Sequence, residues 1–234
     1  MTTSPPKGPV GAIRTPRAAA VAGLVFSVLF ATSVILVHSA VPSGSEDAGE
    51  WVSDDGKRRA VSFSLQLLPF AGIAFLWFIG VLRDRIGQGE DRFFATVFLG
   101  SGLLFVAMFF ASGAVAAGLL SAAHDAQSGS AMDNVWPYGR RSVANYASIY
   151  GLRMAAVFTI SATIIATRLG MVPRWLAILG YVTAVVLLFG VGFLPWLELV
   201  FPGWVFVLSA HILIAAFRDQ GGGPVSATPS ESSE

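Results

Sequence analysis

The sequence predicts an all-α bundle of six transmembrane helices with the N- and C-termini on the cytoplasmic side. Three observations support this fold class. Of the 234 residues, 54% are hydrophobic, only 12% are charged, and the apolar residues are gathered into long runs. Soluble globular domains carry about 25% charged residues, so the surplus apolar surface is expected to face lipid. The net charge of +1 and the absence of cysteine argue against nucleic-acid binding, disulfides and thiolate metal sites.

Each predicted span is an apolar run close to the roughly 20 residues that a hydrocarbon core requires. The first run exceeds the core of a signal peptide and is interpreted as an uncleaved anchor. The second contains Pro69, a predicted kink, and the third is long enough to tilt. The fourth contains an arginine, and only a short turn separates the fifth from the sixth. The predicted spans are residues 18–37, 60–82, 93–120, 143–167, 175–194 and 199–217.

The basic residues that flank these spans set the predicted orientation, because cytoplasmic flanks carry more lysine and arginine. With the N-terminus inside, nine basic residues lie on the cytoplasmic side and five on the outer side, a moderate bias. The inner set is Lys7, Arg14, Arg17, Arg83, Arg85, Arg92, Arg168, Arg174 and Arg218. The outer set is Lys57, Arg58, Arg59, Arg140 and Arg141. Residues 1–17 and 219–234 are rich in Pro, Gly, Ser and Thr and are predicted to be disordered in the cytoplasm.

Arg153 interrupts the fourth apolar run. The residues that follow it, Met154 to Thr167, make only about 21 Å of helix, so the span must begin before the arginine. At the centre of a span an arginine costs about 2.5–3.5 kcal/mol, which other groups must offset. Tyr146, Tyr150 and Arg153 follow an i, i+4, i+7 spacing and are expected on one face of the helix. We therefore predict that Arg153 faces the bundle interior.

Polar residues of other spans are predicted at a similar depth in the outer half of the membrane. Gln66 lies near the start of the second span, Glu198 lies in the turn before the sixth, and His38 closes the first. The predicted site, either a buried polar cluster or a ligand-binding cavity, consists of Arg153, Gln66, Tyr146, Tyr150 and Glu198. In the alternative interpretation, Arg153 snorkels to the outer headgroups or holds helices together with no further role.

Three stretches resemble multi-spanning membrane proteins of unknown function from actinobacteria and related bacteria. They are "LPFAGIAFLWFIGVLRDRIG", "EDRFFATVFLGSGLLFVAMFF" and "YGLRMAAVFTISATIIATRLGMVPRWLAILGY", and together they cover most of the second to fifth spans. The resemblance implies a bacterial cytoplasmic membrane protein. It transfers no activity and no site residue.

Two functions are consistent with the sequence. The first is a non-enzymatic structural or interaction role in the bilayer, favoured by small residues from Ala111 to Gly118 that let helices approach closely, within one chain or between copies. The second is a transporter or binder of a small or lipidic solute that uses an outer-leaflet cavity around Arg153. Because no nucleophile with its base and no metal-ligand spacing is evident, we predict no enzyme activity, no cofactor and no metal.

Overall fold

The computed structural model describes residues 16–40, 54–86, 92–125, 138–191, 193 and 196–221. Within these ranges the chain forms helices and no strand, which confirms the predicted all-α class. The six long helices are α1 (Pro16–Ala40), α2 (Asp55–Ile86), α3 (Arg92–Asp125), α4 (Tyr138–Arg168), α5 (Arg174–Phe189) and α6 (Val200–Gly221). Five of them, all except α5, are long and apolar enough to cross a membrane.

Several helices extend beyond their apolar runs because polar contacts stabilise their ends. Helix α2 begins before its predicted span, since the Asp54 carboxylate accepts hydrogen bonds from the backbone N–H groups of Gly56 (2.8 Å) and Lys57 (3.2 Å). The same N–H groups, that of Lys57 first, hold the pKa of the Asp54 carboxyl below its usual range. Asp54 is thus the N-terminal cap of α2.

The far limits of the bundle also differ from the prediction. Helix α1 begins at Pro16, a residue suited to a first helical turn, and the Arg17 guanidinium lies over the Phe217 ring, 4.5 Å from its centre. Helix α6 continues to Gly221. Residues 16, 17 and 219–221, which fall in the segments predicted to be disordered, thus belong to helices of the structure. The rest of the two predicted disordered segments lies outside the described residues.

Helix α5 is shorter than the predicted fifth span. It ends at Phe189 instead of residue 194, and its 16 residues make a rod of about 24 Å, less than the roughly 30 Å of a hydrocarbon core. Gly190 follows it directly, and glycine is a weak helix former. A complete fifth crossing therefore remains a prediction, as do the six-span count and the orientation of the termini.

The helices form a closed ring in chain order. Each one packs against the next, α6 returns to α1, and the contact between α1 and α2 is the most extensive. The C-terminal ends of α1 and α3, the N-terminal ends of α2 and α4, and the turn before α6 meet at one end of the ring, where hydrogen bonds join them. We call this the cavity end, and the opposite end the far end.

Phenylalanine fills the middle of the ring. One ring from each of α1, α2, α3, α4 and α6 meets here, and none is more than 1% exposed. Their centroids lie 4.6 to 6.3 Å apart where they pair, in tilted and edge-to-face arrangements that aromatic rings prefer. This aromatic core consists of Phe26, Phe75, Phe105, Phe158 and Phe201. It closes the middle of the bundle with apolar side chains.

Candidate ligand-binding cavity

A partly open cavity of about 620 Å³ lies at the cavity end, between α1, α2, α3 and α4. Most of its wall is apolar, contributed by aliphatic side chains such as Leu65 and Leu119. Phe109 and Leu68 also line it, and the Phe109 ring packs against Phe105 of the aromatic core with centroids 4.7 Å apart. The aromatic core therefore packs directly against the floor of the cavity.

Glu198 brings three parts of the chain together at the mouth of the cavity. It lies in the 3₁₀ turn Leu197–Leu199 that precedes α6, and its side chain is 20% exposed. The Ser148 hydroxyl of α4 donates a hydrogen bond of 2.9 Å to Oε1 of Glu198. Oε2 lies 3.8 Å from Nε2 of His38 at the end of α1. A single carboxylate thus contacts both α1 and α4 at this end.

His38 is held in place by its own helix and by an indole. Its Nδ1–H donates to the carbonyl oxygen of Val34 at 3.1 Å, since a carbonyl can only accept. The imidazole stacks on Trp196, with ring centroids 4.6 Å apart and an interplanar angle of 26°. Nε2 is left facing Glu198, at a distance that allows an ion pair with the carboxylate when the imidazole is doubly protonated. The mouth therefore combines an aromatic face with a carboxylate.

Trp196 adopts a backbone conformation that is rare for a bulky residue. Its φ of 63° and ψ of 21° lie in the left-handed region, at a cost on the order of 1–3 kcal/mol. The Trp196 carbonyl accepts a 2.9 Å hydrogen bond from the N–H of Leu199, which closes the turn that carries Glu198. The strained residue thus positions two groups of the mouth at once, the indole and the carboxylate.

Deeper in the cavity, hydroxyl groups link neighbouring helices. The Ser33 and Ser64 hydroxyl oxygens lie 2.8 Å apart between α1 and α2, and each is 3.1 Å from the other residue's backbone carbonyl. The Ser112 hydroxyl of α3 donates to the Val143 carbonyl of α4 at 3.2 Å. Since these buried hydroxyls are hydrogen-bonded within the protein, they leave the wall beneath the mouth mainly apolar towards a ligand.

Of the predicted site residues, the structure brings only Glu198 to this cavity. Arg153 is exposed on the outer surface of α4, whereas Leu152 and Ala155 on either side of it are 0% exposed. The prediction that Arg153 faces the bundle interior, in one cluster with Glu198 and Gln66, is therefore wrong. Within the described residues, its side chain makes no hydrogen bond or ion pair.

The physical reason lies in the inward face of α4. Residues of this face, including Ala155, Ala156 and Thr159, are small and buried in the ring. Because small side chains let neighbouring helices approach closely, no space is left there for a guanidinium. Tyr146 and Tyr150 do share a face with Arg153, as predicted, but that face is the outer one, and they are 37% and 54% exposed. Gln66 is exposed on α2.

Helix α4 contains a π-helical segment, Asn145–Gly151, whose residues face in two directions, towards the cavity and outward. The N–H of Leu152 bonds to the carbonyl of Ala147, five residues earlier, instead of four. Ala147 and Ser148 of this segment line the cavity, whereas Tyr146 and Tyr150 face outward. Segments of this type inside α-helices are frequently found at functional sites.

Several residues of the cavity were not among the predicted site residues. His38, predicted at a depth similar to that of Glu198, lies 3.8 Å from it, but Ser148, Trp196 and Arg140 were not assigned to the site. A serine in a span carries no distinctive pattern, and an indole near a span end is typical of the membrane interface. The signal that connects them is spatial, because Ser148 and Glu198 are far apart in the sequence.

No protein-family model matches this chain, and neither a curated protein nor a solved structure does so. The long apolar helices indicate a multi-pass membrane protein. Among the described residues, no group of three or more His, Asp and Glu side chains is arranged to hold a metal ion.

Proposed function

We propose that this protein binds an amphipathic small molecule in the cavity, as a receptor or carrier in the outer leaflet of a bacterial cytoplasmic membrane. The observation that supports this function is the cavity itself, with its apolar wall and its few polar groups gathered at the mouth. Ligand sites in proteins are typically 300–1,000 Å³ in volume, largely apolar, and oriented by a small number of polar side chains. A cavity of about 620 Å³ lies within this range.

The orientation of the ligand follows from the distribution of polarity. A polar headgroup is placed beside Glu198, His38 and Arg140, where a carboxylate, an imidazole and a guanidinium line the mouth. An acyl or aryl tail extends past Leu65 towards Leu68 and Phe109. The moderate excess of basic residues at the far end favours a cytoplasmic position for that end, which supports an outer-leaflet position for the cavity end.

Binding is favoured over conduction through the bundle. Beneath the floor, each of the five rings of the aromatic core contacts at least two others, and all are at most 1% exposed. A solute that crossed the bundle along its axis would have to displace these rings. We therefore propose a binding protein, and transport would require a second conformation with a different arrangement of the aromatic core.

A photoactivatable monoacylglycerol with a diazirine in its acyl chain tests the proposal. We expect irradiation of the purified full-length protein in detergent to label peptides that contain residues 116–120 or 143–148, located by mass spectrometry. Helix α3 offers a matched pair of variants, since Ala116 lines the cavity and Ala117 next to it is exposed. Ala116→Phe fills the cavity and is expected to remove most of this labelling, whereas Ala117→Phe leaves it unchanged.

The outcome separates the two functions that the sequence allows. Labelling spread over lipid-facing residues and unaffected by Ala116→Phe would contradict a binding role and favour a structural or interaction role. Lipid extracted from the untreated protein and analysed by mass spectrometry adds a second measurement. We expect an amphipathic molecule that co-purifies with wild type and with Ala117→Phe, but not with Ala116→Phe.

A further inference from the structure

We propose that the outer surface of α4 carries a second site, separate from the cavity, at which Arg153 binds the phosphate of an anionic phospholipid headgroup, with Tyr146 and Tyr150 beside it. Arg153 is exposed and has no partner among the described residues. A guanidinium in the hydrocarbon region is costly unless it reaches a counter-charge. The phosphate layer of the lipid supplies one.

The depth of Arg153 allows this contact. Ser148 is level with Glu198, to which it is hydrogen-bonded, and Glu198 lies just before the first residue of α6. Residues 200–217 of α6, which precede Arg218, make about 27 Å of helix, close to the roughly 30 Å of a hydrocarbon core, so Glu198 lies at the edge of that core. Arg153 lies one turn and a fraction beyond Ser148, about 7.5 Å deeper. From this depth a long side chain can extend to the headgroups.

The neighbouring side chains suit a phosphate. Tyr146 and Tyr150 lie between Arg153 and the cavity end on the same outer face, with ring centroids 6.4 Å apart. Tyrosine is enriched at this level of the membrane because its ring is apolar and its hydroxyl donates hydrogen bonds. The planar guanidinium matches a phosphate with two parallel hydrogen bonds. Together the guanidinium and the two hydroxyls make three donor groups along one helix face.

The charge of α4 selects an anionic lipid over a zwitterionic one. From Tyr138 to Arg153, the part of the helix nearest the cavity end, there are three arginines and no acidic residue: Arg140, Arg141 and Arg153. A headgroup that carries an ammonium beside its phosphate would bring positive charge towards this surface, whereas phosphatidylglycerol would not. The occupant we propose is therefore an anionic glycerophospholipid of the leaflet at the cavity end.

Native mass spectrometry of the full-length protein in detergent tests this site with two probes, dioleoylphosphatidylglycerol and dioleoylphosphatidylcholine. We expect wild type to retain phosphatidylglycerol with about tenfold higher affinity, which corresponds to about 1.4 kcal/mol. Arg153→Gln should remove this preference, and Arg153→Lys should keep only part of it, because an ammonium lacks the two-pronged geometry. Arg174→Gln, at an exposed arginine of the far end, is the matched control and should retain the preference.

A conservative double variant tests the site without removing the charged residue, so that a folding defect of the arginine variants cannot decide the result. Tyr146→Phe combined with Tyr150→Phe keeps the charge and removes both hydroxyls, and we expect it to weaken phosphatidylglycerol retention severalfold. Equal retention of both lipids by wild type would overturn the proposal. So would a dimer in light scattering that dissociates on Arg153→Gln, because the occupant would then be a carboxylate of a second copy. Labelling of the cavity by the monoacylglycerol is expected to be unaffected by Arg153→Gln, so the two sites can fail separately.

Discussion

The aromatic core and the cavity end are built from the same helices but in different ways. In the aromatic core, five helices each contribute a fully buried ring, and no polar group takes part. At the cavity end, polar side chains and one strained residue join the helices through single contacts at Glu198, Ser148, His38 and Trp196. The first region stabilises the bundle through packing, whereas the second keeps open a space that packing would otherwise fill. The comparison suggests that stability and ligand selection can be altered separately.

The largest effect of a substitution on stability is expected in the aromatic core. Phe75→Ala removes a ring that is 0% exposed and that contacts every other member of the core. We expect the free energy of unfolding in detergent to fall by about 3–5 kcal/mol, as for other buried phenylalanines. Phe70→Ala on the same helix is the control, since Phe70 is 62% exposed. A similar loss from both variants would contradict the claim that the aromatic core stabilises the bundle through buried packing.

A smaller loss of stability is expected from a substitution at the position where α1 approaches α2 and α6. A Cβ atom at Gly23 would lie inside contact distance of the Ser209 hydroxyl and 2.9 Å from the Phe78 ring, so at least one side chain must move. We expect Gly23→Ala to lower the free energy of unfolding by about 1–3 kcal/mol, measured by denaturant titration in detergent. Gly118→Ala has open space for its methyl group and should be neutral or stabilising.

At the cavity mouth, Ser148→Ala removes one hydrogen bond to Glu198. Because the acceptor is a carboxylate, we expect a loss of about 1.5 kcal/mol in the free energy of unfolding, together with weaker labelling by the monoacylglycerol. Ser142→Ala on the same helix is the control, since the Ser142 hydroxyl bonds to the Tyr138 carbonyl of its own helix. If labelling is unchanged while stability falls, then Glu198 stabilises the bundle without orienting a ligand.

The smallest effect concerns pH at the start of α2. The pKa of Asp54 is lowered by the N–H groups of Lys57 and Gly56, so its contribution to stability is present above the ordinary aspartate value of about 3.9. That contribution is lost as the pH falls through the lowered pKa. Asp54→Asn keeps an N-terminal cap but does not titrate there. In thermal unfolding between pH 7 and pH 3, wild type should lose slightly more stability than Asp54→Asn, and parallel curves would contradict this.

The helices could be predicted from the sequence because long apolar runs have few alternatives. The limits of these helices were less predictable, since they depend on local contacts such as the Asp54 cap and the packing of Arg17 on Phe217. The end of α5 at Phe189 was also missed, although Gly190 was a visible signal. Apolar content locates a span, and the residues next to it decide where the helix ends.

The direction in which Arg153 points was predicted incorrectly from the same kind of pattern. Its spacing with Tyr146 and Tyr150 defined a face correctly but did not say whether that face was inward. The small residues of the opposite face, Ala155 and Thr159, carried that information, because close helix contacts require small side chains. The cavity could not be predicted in this way, since it depends on contacts such as Ser148 with Glu198 that join distant parts of the chain.

The π-helical segment of α4 has a consequence for the length of the chain. A regular α-helix turns by about 100° for each residue, so the one residue added to this turn rotates everything before it by about that angle. Deleting a single residue between Asn145 and Gly151 would restore regular winding and swing Ser148 away from Glu198. The register of this helix therefore decides which of its side chains face Glu198, and a change in its length would rearrange the mouth while the aromatic core stayed in place.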